Sequence, residues 1–207
     1  MSQQQTKNCI TLKGSAQIIC EYLKFAINSV LFQRGLYPPE TFKAQQQYGI
    51  SLLISEDPQI KSFLDNLLSQ SEEWIVNKKV SKISLIILNV ANKEVLECWD
   101  FNVQYEEGDT ALSKEKNETV GSKDVKKIKQ EIRDVMLQVA ATISYLPFLD
   151  CRCSFDVLVH AKTDCEVPDM WAEAKPIEIA NAQNVQLKSF TTSLHKMETV
   201  VSYKLVD

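Results

Sequence analysis

Glycine is scarce in this chain, five among 207 residues, and none falls in a phosphate-cradling pattern. There is no G-x-x-x-x-G-K-[ST] loop, G-x-G-x-x-G turn, G-x-S-x-G elbow or H-E-x-x-H helix, so the short motifs that place a nucleotide, a catalytic serine or a zinc are missing. Histidine is scarcer still. Only His160 and His195 are available, both inside strand-like runs, where an imidazole is more often a core or edge residue than a catalyst. These absences exclude the familiar routes to catalysis, and no enzyme activity, cofactor or metal is expected. The six cysteines (9, 20, 98, 151, 153, 165) contain no C-x-x-C pair and no zinc-ligand spacing. They read as small buried hydrophobes. Cys151 and Cys153 repeat on one strand face with Phe155 and Val157, which favours buried thiols over a metal pair or redox couple.

Two further absences bound the partners. No apolar run approaches the roughly 18 residues of a membrane span, and the opening Met-Ser-Gln-Gln-Gln-Thr-Lys-Asn is too polar for a signal peptide; a soluble, intracellular protein without membrane contact is expected. An excess of basic residues is missing too, with a net charge of −4, so a phosphate-gripping surface for nucleic acid is not expected.

What is present is a set of periodic elements. Ser15 after Gly14 can cap a helix to about Arg34, closed by Gly35. Ile18, Ile19, Tyr22, Leu23, Phe25, Ala26, Ile27, Val30 and Leu31 make it apolar around most of its circumference, the mark of a central helix. Tyr37-Pro38-Pro39 breaks the chain, with a short helix before Gly49. Residues 50–55 suit a strand, and Asp57-Pro58 opens a second helix carrying Ile60, Leu64, Leu67, Ser71 and Trp74 at helical spacing. Residues 80–90 and 95–103 read as a hairpin around Ala91-Asn92-Lys93, with Glu97 among Val95, Trp99, Phe101 and Val103 on one face. The polar stretch 106–121, five acids against two lysines, reads as a surface loop. A third long helix runs from Ser122 to Pro147 through Val125, Ile128, Ile132, Val135, Val139 and Ile143. Its lysines 123, 126, 127 and 129 offset the acidic loop and oppose the helix dipole. This order predicts an α+β fold, three long helices on a mostly antiparallel sheet, in one domain.

The tail, 151–207, is extended. Strand-like runs at 151–160, 185–194 and 200–206 are joined by a polar link with Pro168, Trp171 and Pro176. So long an extended end either completes the sheet or wraps a partner. Trp99 reads as core, and Trp74 lies near a helix end. Trp171 either anchors the tail to the body or packs on a bound peptide, since aromatics dominate interface hot spots.

Across nearly the whole length the chain resembles the HORMA-domain family and, within it, the Mad-type (mitotic arrest deficient) spindle-checkpoint branch. The resemblance is carried by Ile10-Thr-Leu-Lys-Gly-Ser15, by Asn28-Ser-Val-Leu-Phe-Gln-Arg-Gly35 with Tyr37-Pro38, and by Val95-Leu-Glu-Cys-Trp99. Ser154-Phe-Asp156, Val167-Pro168 and Ser189-Phe-Thr-Thr-Ser-Leu-His-Lys196 complete it. It implies a HORMA fold with a mobile C-terminal safety belt, body about 10–160 and belt about 161–207. In the open state the belt occupies one sheet edge; in the closed state it crosses over and traps an extended peptide on the vacated edge, by strand addition. The same sequence then has two folds, and conversion is expected to be slow because strand pairs must break first.

By position, the resemblance puts the peptide at Phe155, Asp156, Val157 and Leu158, with Trp74 and Trp171 beside it. Leu12, His195, Thr199 and Tyr203 belong to the switch and belt, and phosphorylation of Thr199 is expected to oppose strand docking. Arg34, Gln138 and Tyr145 match an open–closed self-pairing surface. There Leu137 stands where the family usually has a basic residue, so dimerisation is expected to be weakened. The implied partners are an activator of the anaphase-promoting complex, inhibited until chromosomes attach, a coiled-coil kinetochore anchor, a checkpoint kinase complex, and a remodelling ATPase with its HORMA adaptor. The implied locations are nucleus, kinetochore and cytoplasm, and the spindle in mitosis. Three competing readings remain: a HORMA adaptor of a translesion polymerase or meiotic-axis complex using the same belt, a plain scaffold whose tail is permanently docked, and an enzyme, which would need a polar ligand cleft with His160 and His195 as its best candidates.

Overall fold

The computed structural model describes residues 9–116, 118–169, 171–174, 177–179 and 181–205. The N-terminal octapeptide, Pro176 and the last two residues of the tail lie outside that set. No helix among the described residues is long and apolar enough to cross a membrane.

The centre is α1 (Leu12–Gln33), whose residues from Ile19 to Leu31 are largely sequestered from solvent. Its cap is Thr11, which accepts from Gly14 N at 3.1 Å, not Ser15 as the sequence suggested. Ser15 lies one turn inside and is completely buried. Two strand residues before the helix, β1 (Ile10–Thr11), pair with a later segment. After a 3₁₀ turn (Pro39–Thr41) the chain forms a hairpin, β2 (Phe42–Gln47) and β3 (Ile50–Ser55). A helix was expected at β2. The reversal at Tyr48 and Gly49, both at positive φ, is the backbone a two-residue hairpin requires, and it sets a polar, exposed strand against its partner. Helix α2 (Pro58–Val76) begins at Asp57, whose side chain accepts from Gln59 N and Ile60 N, with Pro58 in the first turn.

Strands β4 (Val80–Asn89) and β5 (Val95–Tyr105) form the expected hairpin. The presumed loop that follows holds a short helix, α3 (Thr110–Lys116), and a two-residue strand, β6 (Val120–Gly121), paired with β1. Helix α4 (Val125–Thr142) is capped by Asp124, and Lys123 pairs with Glu131 at 2.5 Å. That pair neutralises Lys123 about two turns along; Lys126, Lys127 and Lys129 are exposed in the first turns of α4 and still oppose its dipole. Strand β7 (Cys153–Ala161) and the hairpin β8 (Ala182–Thr191) with β9 (His195–Lys204) complete the fold. The last two strands begin and end several residues away from the runs picked out by hydropathy.

The main sheet is antiparallel throughout, in the order β7-β4-β5-β9-β8. Side chains alternate, so one face carries Ile83, Leu85 and Ile87, Trp99, Phe101 and Val103, and Met197, Thr199, Val201 and Tyr203, all buried. That face meets the helices: Tyr22 of α1 lies edge-on to Phe101 and Phe190 and bonds Thr199 Oγ1 at 2.8 Å. Helix α4 packs against β8. Glu97 shares the apolar face because Arg34 reaches it from the end of α1 as a buried ion pair. Burial raises the Glu97 carboxyl pKa, and Arg34 opposes that shift.

Candidate functional site

Strand β7 is the sheet's edge, and its register shows what that edge offers. Val90 N donates to Arg152 O at 2.9 Å, one step beyond the pair Asn89↔Cys153. Antiparallel pairs alternate between bonded and non-bonded, so even-numbered residues of β7 bond β4. The N–H and C=O groups of Phe155, Val157 and Val159 therefore point outward. One is already occupied: Val157 N donates to the Asp156 carboxylate at 2.8 Å. Among the described residues no strand pairs with this edge.

The chain leaves β7 and passes alongside that open edge before returning to β8. The crossing is fastened at its start. Lys162 N donates to Lys79 O at 2.8 Å, and Lys79 forms an ion pair with Asp164. Trp171 then lies against Trp74 of α2, ring centroids 4.9 Å apart. Trp171 thus anchors the tail, as the first of its two readings required. It also borders the space that remains. One cavity of about 700 Å³ is walled by Phe63, Leu67 and Glu73 of α2, by Asp156–Leu158 and by Trp171–Ala174. Its neighbour, about 720 Å³, extends past Val159 and His160 to Cys165 and Val167. Trp171, Val157 and Leu158 line both. Phe155 sits between Tyr37 and Phe63, edge-on at 6.0 and 5.8 Å. The result is an elongated slot with backbone groups on one wall and aromatics on the other.

The opposite end of the tail is latched. At the β8–β9 turn, Ser15 Oγ lies 2.6 Å from Thr192 Oγ1 and 2.6 Å from His195 Nδ1. His195 is fully buried and edge-on to Tyr105 at 5.1 Å. Burial drives its pKa down to about 4, and Lys78 pushes the same way. The Ile75 carbonyl is near enough to oppose that shift, although His195 Nε2 has no hydrogen-bonding partner of good geometry. Gly121 is needed here, because a Cβ would sit 2.8 Å from Thr192 O. Sequence reading missed the partnership of Ser15 with His195; 180 residues separate them, and no local pattern signals it.

The remaining site residues are dispersed. Tyr203 donates to Gln183 Oε1 at 2.9 Å within the β8–β9 hairpin, and Leu12 is half-buried at the start of α1. Thr199 is buried at 1 % exposure, so a kinase reaches it only with the hairpin undocked. Of the self-pairing set, Leu137 and Tyr145 are exposed, at 48 % and 78 %. Gln138 Oε1 accepts from Lys188 N at 2.6 Å, joining α4 to β8. Arg34 departs from the set. Its side chain turns inward to Glu97 and Pro147 O because a buried carboxylate needs a cation. Cys151 and Cys153 are half-buried, not buried, and Cys151 lies outside β7.

On the far side of the sheet, Ser84 Oγ donates to Asp100 Oδ1 at 2.5 Å and lies 3.1 Å from His160 Nε2, while Lys82 pairs with Asp100 at 3.1 Å. Burial first, then Lys82, lowers the His160 pKa. This cluster ties the edge strand to β4 and β5, and no cavity named above opens onto Ser84.

Comparison with known proteins places these features in context. The HORMA domain family model matches residues 15–196. The mitotic spindle assembly checkpoint protein MAD2A of Dictyostelium discoideum is 42% identical over 200 residues, covering 97% of this chain and 96% of that protein. The mitotic spindle checkpoint protein MAD2 of Arabidopsis thaliana is 43% identical over 200 residues, covering 96% and 92%. Among solved structures, a chain of a mitotic checkpoint complex superposes with a TM-score of 0.82 at 36% identity, covering 93% of this chain and all of that one.

Proposed function

We propose that this chain, which belongs to the HORMA-domain family and acts in the spindle assembly checkpoint, is a two-state trap for extended peptides. Family membership makes it a protein-binding module. The observation that carries the trapping mechanism is the position of the tail. Its hairpin is docked on β5, no strand among the described residues pairs with the outer edge of β7, and residues 162–169 and 171–174 pass alongside that edge with Trp171 on Trp74. That position supports reading it as the closed arrangement that the resemblance describes.

In that arrangement an incoming segment pairs with the outward groups of Phe155, Val157 and Val159. Main-chain bonds supply affinity, and the spaces beside Phe63, Leu67 and Trp171 select its side chains. The crossing segment then lies outside the peptide, so release requires the belt (about 161–207) to lift from the body (about 10–160). In the open state the hairpin would occupy the β7 edge itself and exclude the peptide. Leu12, Thr199 and the His195 latch bias the choice between them.

The trapped segments belong to an activator of the anaphase-promoting complex, inhibited until chromosomes attach, and to a coiled-coil kinetochore anchor. A checkpoint kinase complex acts alongside them, and a remodelling ATPase with its HORMA adaptor reopens the closed form. Action at the kinetochore implies residence in nucleus and cytoplasm and at the spindle in mitosis. Hydrogen exchange with and without a peptide from the activator tests the mechanism. Slow, peptide-dependent protection of both 155–160 and 162–174 is expected. Protection confined to 155–160, or a peptide that leaves as fast as it binds, would replace the trap with a simple docking edge.

A further inference from the structure

The stretch that leads from α4 into β7 carries two sulfurs in contact. Cys151 Sγ and Cys153 Sγ lie 3.7 Å apart, both half-buried and both free. Cys151 precedes the strand and lines a cavity of about 300 Å³ with Asn89, Glu94, Phe148 and Lys204; Cys153 opens β7 and does not line that cavity. The arrangement orders the pair, with one thiol accessible to a small reagent and the other placed to resolve what forms on it. The charged groups around them are Glu97 and Arg34, already committed to each other, and on the cavity wall Asp150 with the ion pair of Glu94 and Lys204.

We infer that Cys151 and Cys153 are a redox-responsive dithiol that exchanges with a low-molecular-weight disulfide, of which glutathione disulfide is the probe, and closes to an internal disulfide at the mouth of β7. The Cys151 thiolate attacks one sulfur of glutathione disulfide, forming a mixed disulfide and releasing one glutathione thiolate, which takes a proton. Cys153 loses its proton to solvent and attacks Cys151 Sγ, expelling the second glutathione. Two protein thiols are oxidised and one disulfide is reduced. Burial raises the Cys153 thiol pKa to about 11, so it attacks through the small fraction present as thiolate.

Closure has a structural consequence. Cys151 stands in a bend ahead of β7, and its Sγ must close from 3.7 Å to the roughly 2.05 Å of a disulfide. The ring therefore contracts 151–153 and bends Arg152, whose carbonyl accepts from Val90 N in the last rung between β4 and β7. Exchange at Val90 and at the start of β7 should quicken several-fold, and peptide capture on that edge should weaken. The capture arm rests on the proposed function; the chemistry does not.

The test equilibrates the full chain with glutathione disulfide and reduced glutathione, then reads intact mass, peptide maps, exchange at Val90 and peptide capture. Loss of two hydrogens mapped to Cys151–Cys153 is expected, absent in Cys151→Ser and Cys153→Ser and retained in Cys165→Ser. Cys153→Ser should instead hold a glutathione adduct on Cys151. A stable adduct on the unaltered chain, or oxidation at other cysteines only, overturns the dithiol. Ring closure without faster exchange at Val90 overturns its effect on the strand. Ring closure with faster exchange but unchanged capture removes β7 as the peptide edge and leaves the dithiol standing.

Discussion

At the scale of single residues, two groups hold this arrangement in place, one at each side of the sheet. His195 is neutral at pH 7, with a folded pKa near 4 against about 6.5 when unfolded. The sign follows. Above pH 6.5 neither state binds the proton, so burial of the ring carries no titration penalty. Below 6.5 the unfolded chain takes up a proton that the folded chain refuses until about pH 4. Stability is lost across that window, by about 3 kcal/mol in total. Urea titrations of the unaltered chain and of His195→Asn between pH 7 and pH 4 should diverge by that order, the variant showing the shallower loss. Equal slopes would mean that carboxylates alone set the acid limit. On the other side, Asp156 covers Val157 N–H, a carboxylate on an edge strand that discourages unwanted pairing. On the proposed trapping reading, a peptide strand displaces it. Asp156→Ala should speed peptide association about fivefold, the worth of one net hydrogen bond, in a stopped-flow measurement. Slower association would make Asp156 a direct contact for the peptide.

At the scale of elements, the crossing segment depends on one aromatic pair. Trp171→Ala removes the contact with Trp74 and opens both cavities beside β7. A pair of this kind contributes about 1 kcal/mol beyond its buried area, so the peptide off-rate should rise about fivefold in competition experiments while the on-rate stays within a factor of about two. An unchanged off-rate would show that the hairpin alone does the retaining. The elements also show what a sequence can express. Asp57-Pro58 announces α2 because capping and a fixed φ are local facts, and the period of Ile60, Leu64, Leu67 and Trp74 follows from one buried face. Ser15 mimicked a cap, yet its role is set by Thr192 and His195 across 180 residues. Phe42–Gln47 failed for the opposite reason. A strand exposed on both faces has no hydropathic alternation, and the positive φ of Tyr48 is not a signal that tyrosine usually gives. The strand edge was legible only through the family resemblance, since which edge stays unpaired depends on where the tail hairpin docks.

At the scale of the whole molecule, the same hairpin position decides what other surfaces exist. Gln138 of α4 is bonded to Lys188 of β8, with Leu137 and Tyr145 exposed beside that junction, so this surface is assembled only while the hairpin lies on β5. A hairpin moved to β7 would separate its two halves. Self-pairing, if present, is therefore tied to conformation, and Leu137 is where its charge is missing. A guanidinium offers a forked set of donors that leucine lacks. Leu137→Arg should tighten dimerisation at least about tenfold, the order of a charge-assisted hydrogen bond, in sedimentation velocity with open and closed forms mixed. Arg34 serves as the internal control. Its partner Glu97 is buried, so Arg34→Ala should cost about 3–5 kcal/mol in unfolding free energy and should not act as a specific defect in pairing. If Leu137→Arg gains nothing, or Arg34→Ala leaves stability intact while abolishing association, the α4–β8 junction is not the self-pairing surface. The departure at Leu137 would then be a neutral exchange on an exposed helix face.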